Sequence, residues 1–146
     1  MAITVAVFAK HETPAAITLA EEIASLVESA GQAVWFDPLT AAATDRHPTD
    51  LERFAAADLI VSIGGDGTFL FAAATAGSTP IVGVNLGEVG FLNAVDPADA
   101  VDTVGRLLAE LRAGYPLPIR GLDRLAVTGA AVDPAINEIV IQAPTR

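Results

Sequence analysis

Apolar and polar residues fall into blocks along this chain, and the spacing of the apolar positions changes from block to block. Ile3 to Phe8, the run Asp58 to Ile63 and Ile81 to Val84 are short, nearly continuous apolar stretches rich in β-branched residues. Such stretches read as strands buried on both faces. Between the first two, Ile17, Ala20, Ile23, Ala24 and Val27 recur at helical spacing. They form the core stripe of a helix predicted from about Pro14 to Ala30, with Thr13 as N-cap, Pro14 at the first helical position and Gly31 closing it. Gln32 to Phe36 reads as a second strand. The alanine, threonine and proline stretch Asp37 to Pro48 reads as a loop, leading to a short helix over Thr49 to Ala57. Phe69 to Ala76 and Pro97 to Ala113 complete the predicted helices, the last with Asp96 as cap and Gly114 at its end.

Strand, helix and strand in alternation predict an α/β fold: a Rossmann-like three-layer domain with a mostly parallel sheet, right-handed crossovers and helices on both faces. The rhythm breaks at Tyr115-Pro116-Leu117-Pro118-Ile119-Arg120. Beyond it, Leu122 to Thr128 and Ile136 to Ile141 read as strands that can pair across Gly129 to Pro134, so the domain is expected to end in a β-hairpin. No internal repeat or low-complexity segment is evident.

At 146 residues and 52% hydrophobic, the chain suits one domain with a real core. Its mean hydropathy of +0.50 is high, but no run of about 18 uncharged apolar residues exists to span a bilayer. The N-terminus lacks the basic start and cleavage site of a signal peptide, and a cytoplasmic location is expected. Absence of cysteine excludes disulfides, thiolate metal sites and cysteine nucleophiles. A net charge of −10 argues against nonspecific binding to nucleic acid or to an anionic membrane. Lysine scarcity beside many acidic residues suits a salt-adapted or GC-rich source.

The chemistry concentrates in Ile63-Gly64-Gly65-Asp66-Gly67-Thr68-Phe69-Leu70, a glycine turn between a predicted strand and a predicted helix. Glycines there bring backbone N–H groups close to an anion at the helix N-terminus, where unpaired donors and the macrodipole favour phosphate. A carboxylate beside such a site repels phosphate unless it faces a hydroxyl or a metal ion, as in phosphoryl transfer. The plainer alternative makes Asp66 a helix N-cap. With so acidic a chain, phosphates need backbone donors, a divalent cation and local cations. Lys10, the only lysine, is one candidate, its alternative being a solvated side chain. His11 and His47 read as solvated.

Two further segments carry similar signals. Ile81 to Asn93 contains a strand ending at Asn85, whose amide can face a ligand, then Gly87, Glu88, Gly90 and Phe91. Phe91 either lines a pocket for an aromatic base or belongs to the core. In Ala135 to Ile141 the pair Asn137-Glu138 interrupts an apolar strand, so it either lies exposed at an edge or binds a ligand.

Taken in order, Gly-Gly-Asp-Gly-Thr, Asn-Leu-Gly-Glu-Val-Gly-Phe-Leu and Asn-Glu resemble the NAD kinase family, from about Val5 to Gln142. The first motif is shared with lipid kinases and phosphofructokinases. The order and spacing of the other two are more specific. The resemblance implies an ATP-dependent, or in some members polyphosphate-dependent, phosphorylation of the 2′-hydroxyl of the adenosine ribose of NAD, giving NADP, with Mg2+ or another divalent cation. It makes Asp66 the catalytic carboxylate, with Gly64, Gly65 and Gly67 shaping its turn and, together with Thr68, binding the nucleotide. Asn137 and Glu138 become the dinucleotide-binding pair, Phe91 an adenine-side residue and Asn85 a variable position of the site. Glu88 departs from the basic or neutral residue often found there. Residues 1–142 then form the family's N-terminal α/β domain and 143–146 a severed linker, since members continue into an all-β domain. The expected partners are NAD, ATP and a second copy of the chain. The alternatives are a non-catalytic dinucleotide-binding module and another kinase of the diacylglycerol kinase and phosphofructokinase superfamily.

Overall fold

The computed structural model describes residues 1–87, 90–129, 131–136 and 142. Four strands alternate with helices: β1 (Thr4–Ala9), α1 (Pro14–Ser29), β2 (Ala33–Phe36), α2 (Pro38–Ala43), a 3-10 helix (Leu51–Ala56), β3 (Leu59–Gly64), α3 (Asp66–Thr75), β4 (Ile81–Asn85), a 3-10 turn (Pro97–Asp99) and α4 (Ala100–Ala113). The strands form one sheet in the order β2-β1-β3-β4, and every neighbouring pair is parallel. Helices cover both faces, which makes the expected α/β domain.

Alternation along the strands decides which residue meets which helix. Val5, Val7 and Ala9 of β1, with Leu59, Val61 and Ile63 of β3, pack against α1 and α4 through Ile23, Val27, Val104 and Leu108. Ala6, Phe8 and Ile60 point the other way and meet Phe54 of the 3-10 helix and Ala72 and Ala76 at α3. The rings of Phe8 and Phe54 lie 4.8 Å apart in a tilted pair. Burying side chains such as Ile23 or Phe8 contributes about 1.5–3 kcal/mol each, and both are 1% exposed or less.

Most helix boundaries follow from the expected signals. Thr13 is the N-cap of α1, Pro14 its first residue, and Gly31 just past its end has φ +73, a conformation that disfavours any side chain. Gly114 ends α4 in the same left-handed way. Among the described residues, no helix is long and apolar enough to cross a membrane.

Three expectations are corrected. Asp37 to Pro48 is not all loop: its first part is α2, with Pro38 at the helix start and Asp37 as a 3% exposed N-cap accepting from the N–H groups of Leu39 (3.1 Å) and Thr40 (3.3 Å). The helix expected over Pro97 to Ala113 starts as a 3-10 turn and becomes α-helical at Ala100. Leu122 to Thr128 does not form a strand. In that region the described residues contain one antiparallel bridge, Leu125 to Ala135. The partner strand expected over Ile136 to Ile141 lies, after Ile136, outside the described residues.

Candidate functional site

The strand order places a topological switch between β1 and β3: the chain leaves β1 toward β2 on one side and resumes at β3 on the other. Crevices at such a point, at the carboxyl ends of the strands, are where ligands bind in open α/β sheets. Here the Lys10 N–H donates to the Ile63 carbonyl at 2.8 Å and locks the two strand ends together. Gly64 is the last residue of β3 and stands in register with Asn85, the last of β4. The two motifs that sequence reasoning assigned to one edge are therefore side by side.

Gly64 is required by contact. A Cβ there would lie 2.5 Å from Thr68 Oγ1 and 3.1 Å from Lys10 Cβ. Gly65 and Gly67 differ, since a Cβ on either meets nothing within 4 Å. Gly65 caps α3 and Asp66 is its first residue. The N-cap alternative for Asp66 therefore does not hold, and its carboxylate reaches away from its own helix.

It reaches an arch whose described residues are 85–87 and 90–95. The feet of the arch are held by β3 and β4. Asn85 N–H donates to the Val95 carbonyl (2.9 Å), Val95 N–H donates to the Gly83 carbonyl (3.0 Å), and Leu86 N–H donates to the Gly64 carbonyl (2.9 Å). At the crown, Asp66 Oδ2 accepts from the Phe91 N–H at 3.1 Å, while Oδ1 accepts from the Leu92 N–H at 3.2 Å and from Asn93 Nδ2 at 3.3 Å. Gly90 lets the crown come this close, because a Cβ there would stand 2.9 Å from Asp66 Oδ1. Sequence reasoning did not foresee this clasp. Its only trace was the polar Asn93 closing an apolar Phe-Leu pair.

Phe91 is 88% exposed, which overturns the core alternative for it. Asn85 Oδ1 accepts from the Gly87 N–H at 3.1 Å. Lys10 is exposed at the switch point. His11 pairs with Glu12 at 3.4 Å, and His47 is exposed. Glu88, Asn137 and Glu138 lie outside the described residues. Among the described residues no group of three or more His, Asp or Glu is arranged to hold a metal ion. A half-open pocket of about 230 Å³ begins at Leu70, one turn along α3 from Asp66, and is lined on its other side by Arg124, Pro134, Ala135 and Ile136. Arg124 donates to the Ala73 carbonyl there at 2.9 Å.

Compared with known proteins, residues 5–111 match the family model described as the ATP-NAD kinase N-terminal domain. The chain belongs to the NAD kinase family. The NAD kinase of Natronomonas pharaonis is 45% identical over 142 residues, covering 96% of this chain and 51% of that protein. The NAD kinase of Halobacterium salinarum is 45% identical over 147 residues, covering 97% and 52%. The chain thus spans about half the length of the curated relatives it matches. Two solved structures share the fold. A yeast NADH kinase complexed with NADH aligns with a TM-score of 0.59 at 24% identity, over 77% of this chain and 36% of that one. An NAD kinase from Archaeoglobus fulgidus in complex with ATP aligns at 0.52 and 23%, over 76% and 38%. Within the NAD kinase fold, then, the Asp66 turn and the described residues of the arch lie at the carboxyl edge of the sheet.

Proposed function

We propose that this chain carries the phosphoryl-transfer edge of a kinase that uses ATP to phosphorylate the 2′-hydroxyl of the adenosine ribose of NAD, giving NADP. The observation that carries the reading is the Asp66 carboxylate, standing at the switch point of a family-matched sheet in front of an open glycine turn. An ionised carboxylate offers about four acceptor directions, and the arch takes three of them. One remains for a substrate hydroxyl, which Asp66 can orient and whose proton it can accept as the oxygen attacks the γ-phosphorus, the bond from that phosphorus to the β,γ-bridging oxygen breaks and ADP leaves.

The open space before Gly65 and Gly67 suits a triphosphate against the N-terminus of α3. The divalent cation enters with the nucleotide as MgATP, neutralising the triphosphate as part of the substrate. Positioning and fixed electrostatics then supply most of the rate. By resemblance, Asn137 and Glu138 bind the dinucleotide, Glu138 accepting from ribose hydroxyls, and the exposed Phe91 ring offers a plate for the adenine. Dependence on ATP and NAD fits a cytoplasmic location.

The test is NADP formation from NAD, ATP and Mg2+ by the chain and by Asp66→Asn. Turnover that falls about 10²- to 10⁴-fold in the variant, with NAD and ATP affinities held, supports the reading. Undiminished turnover in Asp66→Asn rejects the role of Asp66, and phosphorylation of diacylglycerol but not of NAD rejects the acceptor.

A further inference from the structure

Asn93 is 8% exposed, and while its Nδ2 faces Asp66, its Oδ1 is buried with no hydrogen-bond partner among the described residues. The hydroxyl of Ser62 is in the same position, buried and unpartnered. A buried polar atom without a partner is costly, so two of them call for a physical reason. Their placement on one face is the first observation. Ser62 stands opposite Gly83 in the β3–β4 register, so both project to the same face of the sheet. A Cβ on Gly83 would overlap Asn93 Oδ1 and approach the Phe69 ring to 3.0 Å. Asn93 therefore fills the place of the side chain that Gly83 lacks, in the row that Ser62 occupies.

We propose that Asn93 is a positioning residue for Asp66, its amide seated in the space beside Gly83 so that Nδ2 faces the carboxylate. This rests on the reading of Asp66 as the catalytic carboxylate. An aspartate at the first position of a helix is drawn toward the unpaired N–H groups of its own first turn. Asn93, together with the Phe91 and Leu92 N–H groups, draws the carboxylate the other way and fixes its free oxygen direction toward the crevice. The pairing of Val95 with Gly83 and Asn85 holds the backbone two residues on, so the amide approaches from a rigid strand edge.

The decisive variant is Asn93→Asp, which keeps the shape but sets a second carboxylate against Asp66. In the 15N-labelled chain, the Phe91 and Leu92 amides should exchange about tenfold faster or more, while Val5 and Val7 amides in the core stay unchanged. The kcat for NADP formation should fall roughly 10- to 100-fold with KM for NAD and ATP nearly constant. If Asn93→Asp unfolds the chain, Asn93→Ala carries the same amide readout without the repulsion. Unchanged Phe91 and Leu92 exchange in the variant overturns the proposal. If Asp66→Asn turns over normally, the kinase role of Asp66 fails, yet the amide readout still decides whether Asn93 holds it.

Discussion

The backbone N–H of Phe91 donates to the carboxylate of Asp66 at 3.1 Å across 25 residues of sequence, while the Phe91 ring is 88% exposed. The residue therefore clasps with its main chain and presents its side chain to solvent. Phe91→Ala should leave the clasp and the urea midpoint nearly unchanged, within about 0.5 kcal/mol. Loss of an aromatic plate should weaken NAD binding about 3- to 10-fold, measured by titration calorimetry. Unaltered affinity would remove the ring from the adenine side.

Gly64 and Gly65 should respond differently to the same substitution. Gly64→Ala drives a Cβ to 2.5 Å from Thr68 Oγ1, and is expected to cost about 1–3 kcal/mol in urea unfolding. Gly65 has φ −107 and open space around it, so Gly65→Ala should leave stability within about 0.5 kcal/mol. Its methyl group would instead stand where a phosphate is expected, and ATP affinity should drop. Equal effects of the two variants on stability would contradict the geometry.

Asp37 ties the carboxyl ends of two strands. It accepts from Leu39 N–H, Thr40 N–H and the Thr40 hydroxyl, and Thr40 Oγ1 in turn accepts from the Ala9 N–H at 2.9 Å. Asp37→Ala removes the α2 cap and leaves buried donors unpaired, an expected loss of about 1–3 kcal/mol. Hydrogen exchange at Ala9, next to Lys10, should quicken along with it. A stable variant with a protected Ala9 amide would mean that α2 does not support the end of β1.

Self-repulsion from a net charge of −10 opposes compaction. Raising KCl from about 0.1 M to about 1 M shortens the screening length from about 10 Å to about 3 Å and should raise the urea midpoint. A midpoint that falls would separate the acidic composition from any adaptation to salt.

Local patterns made much of the fold legible. The four parallel strands follow from β-branched apolar runs, and α1 from an apolar stripe with a Thr-Pro start and a glycine end. Helix α2 was hidden because six residues, Pro38–Ala43, are too few to show a period, although Asp37-Pro38 is itself a start signal. Leu122 to Thr128 has strand-like composition, but Leu122, Leu125 and Val127 stay exposed. Without a surface to bury one face, alternation alone does not make a strand. At the site, glycine chemistry marked the Asp66 turn, and the pairing of Gly64 with Asn85 confirmed a shared edge. The clasp was not legible, because it joins residues 25 to 27 positions apart, and two of its three donors are backbone N–H groups that every residue type but proline carries.

The feet of the arch also bear on the colloidal behaviour of the protein. Val95 occupies the Gly83 carbonyl and the Asn85 N–H on the outer side of β4, groups that on an open edge would recruit a strand from another molecule. Substitutions that spring the arch should therefore be met first as turbidity in concentrated samples, before any fall in the melting temperature of the sheet beneath.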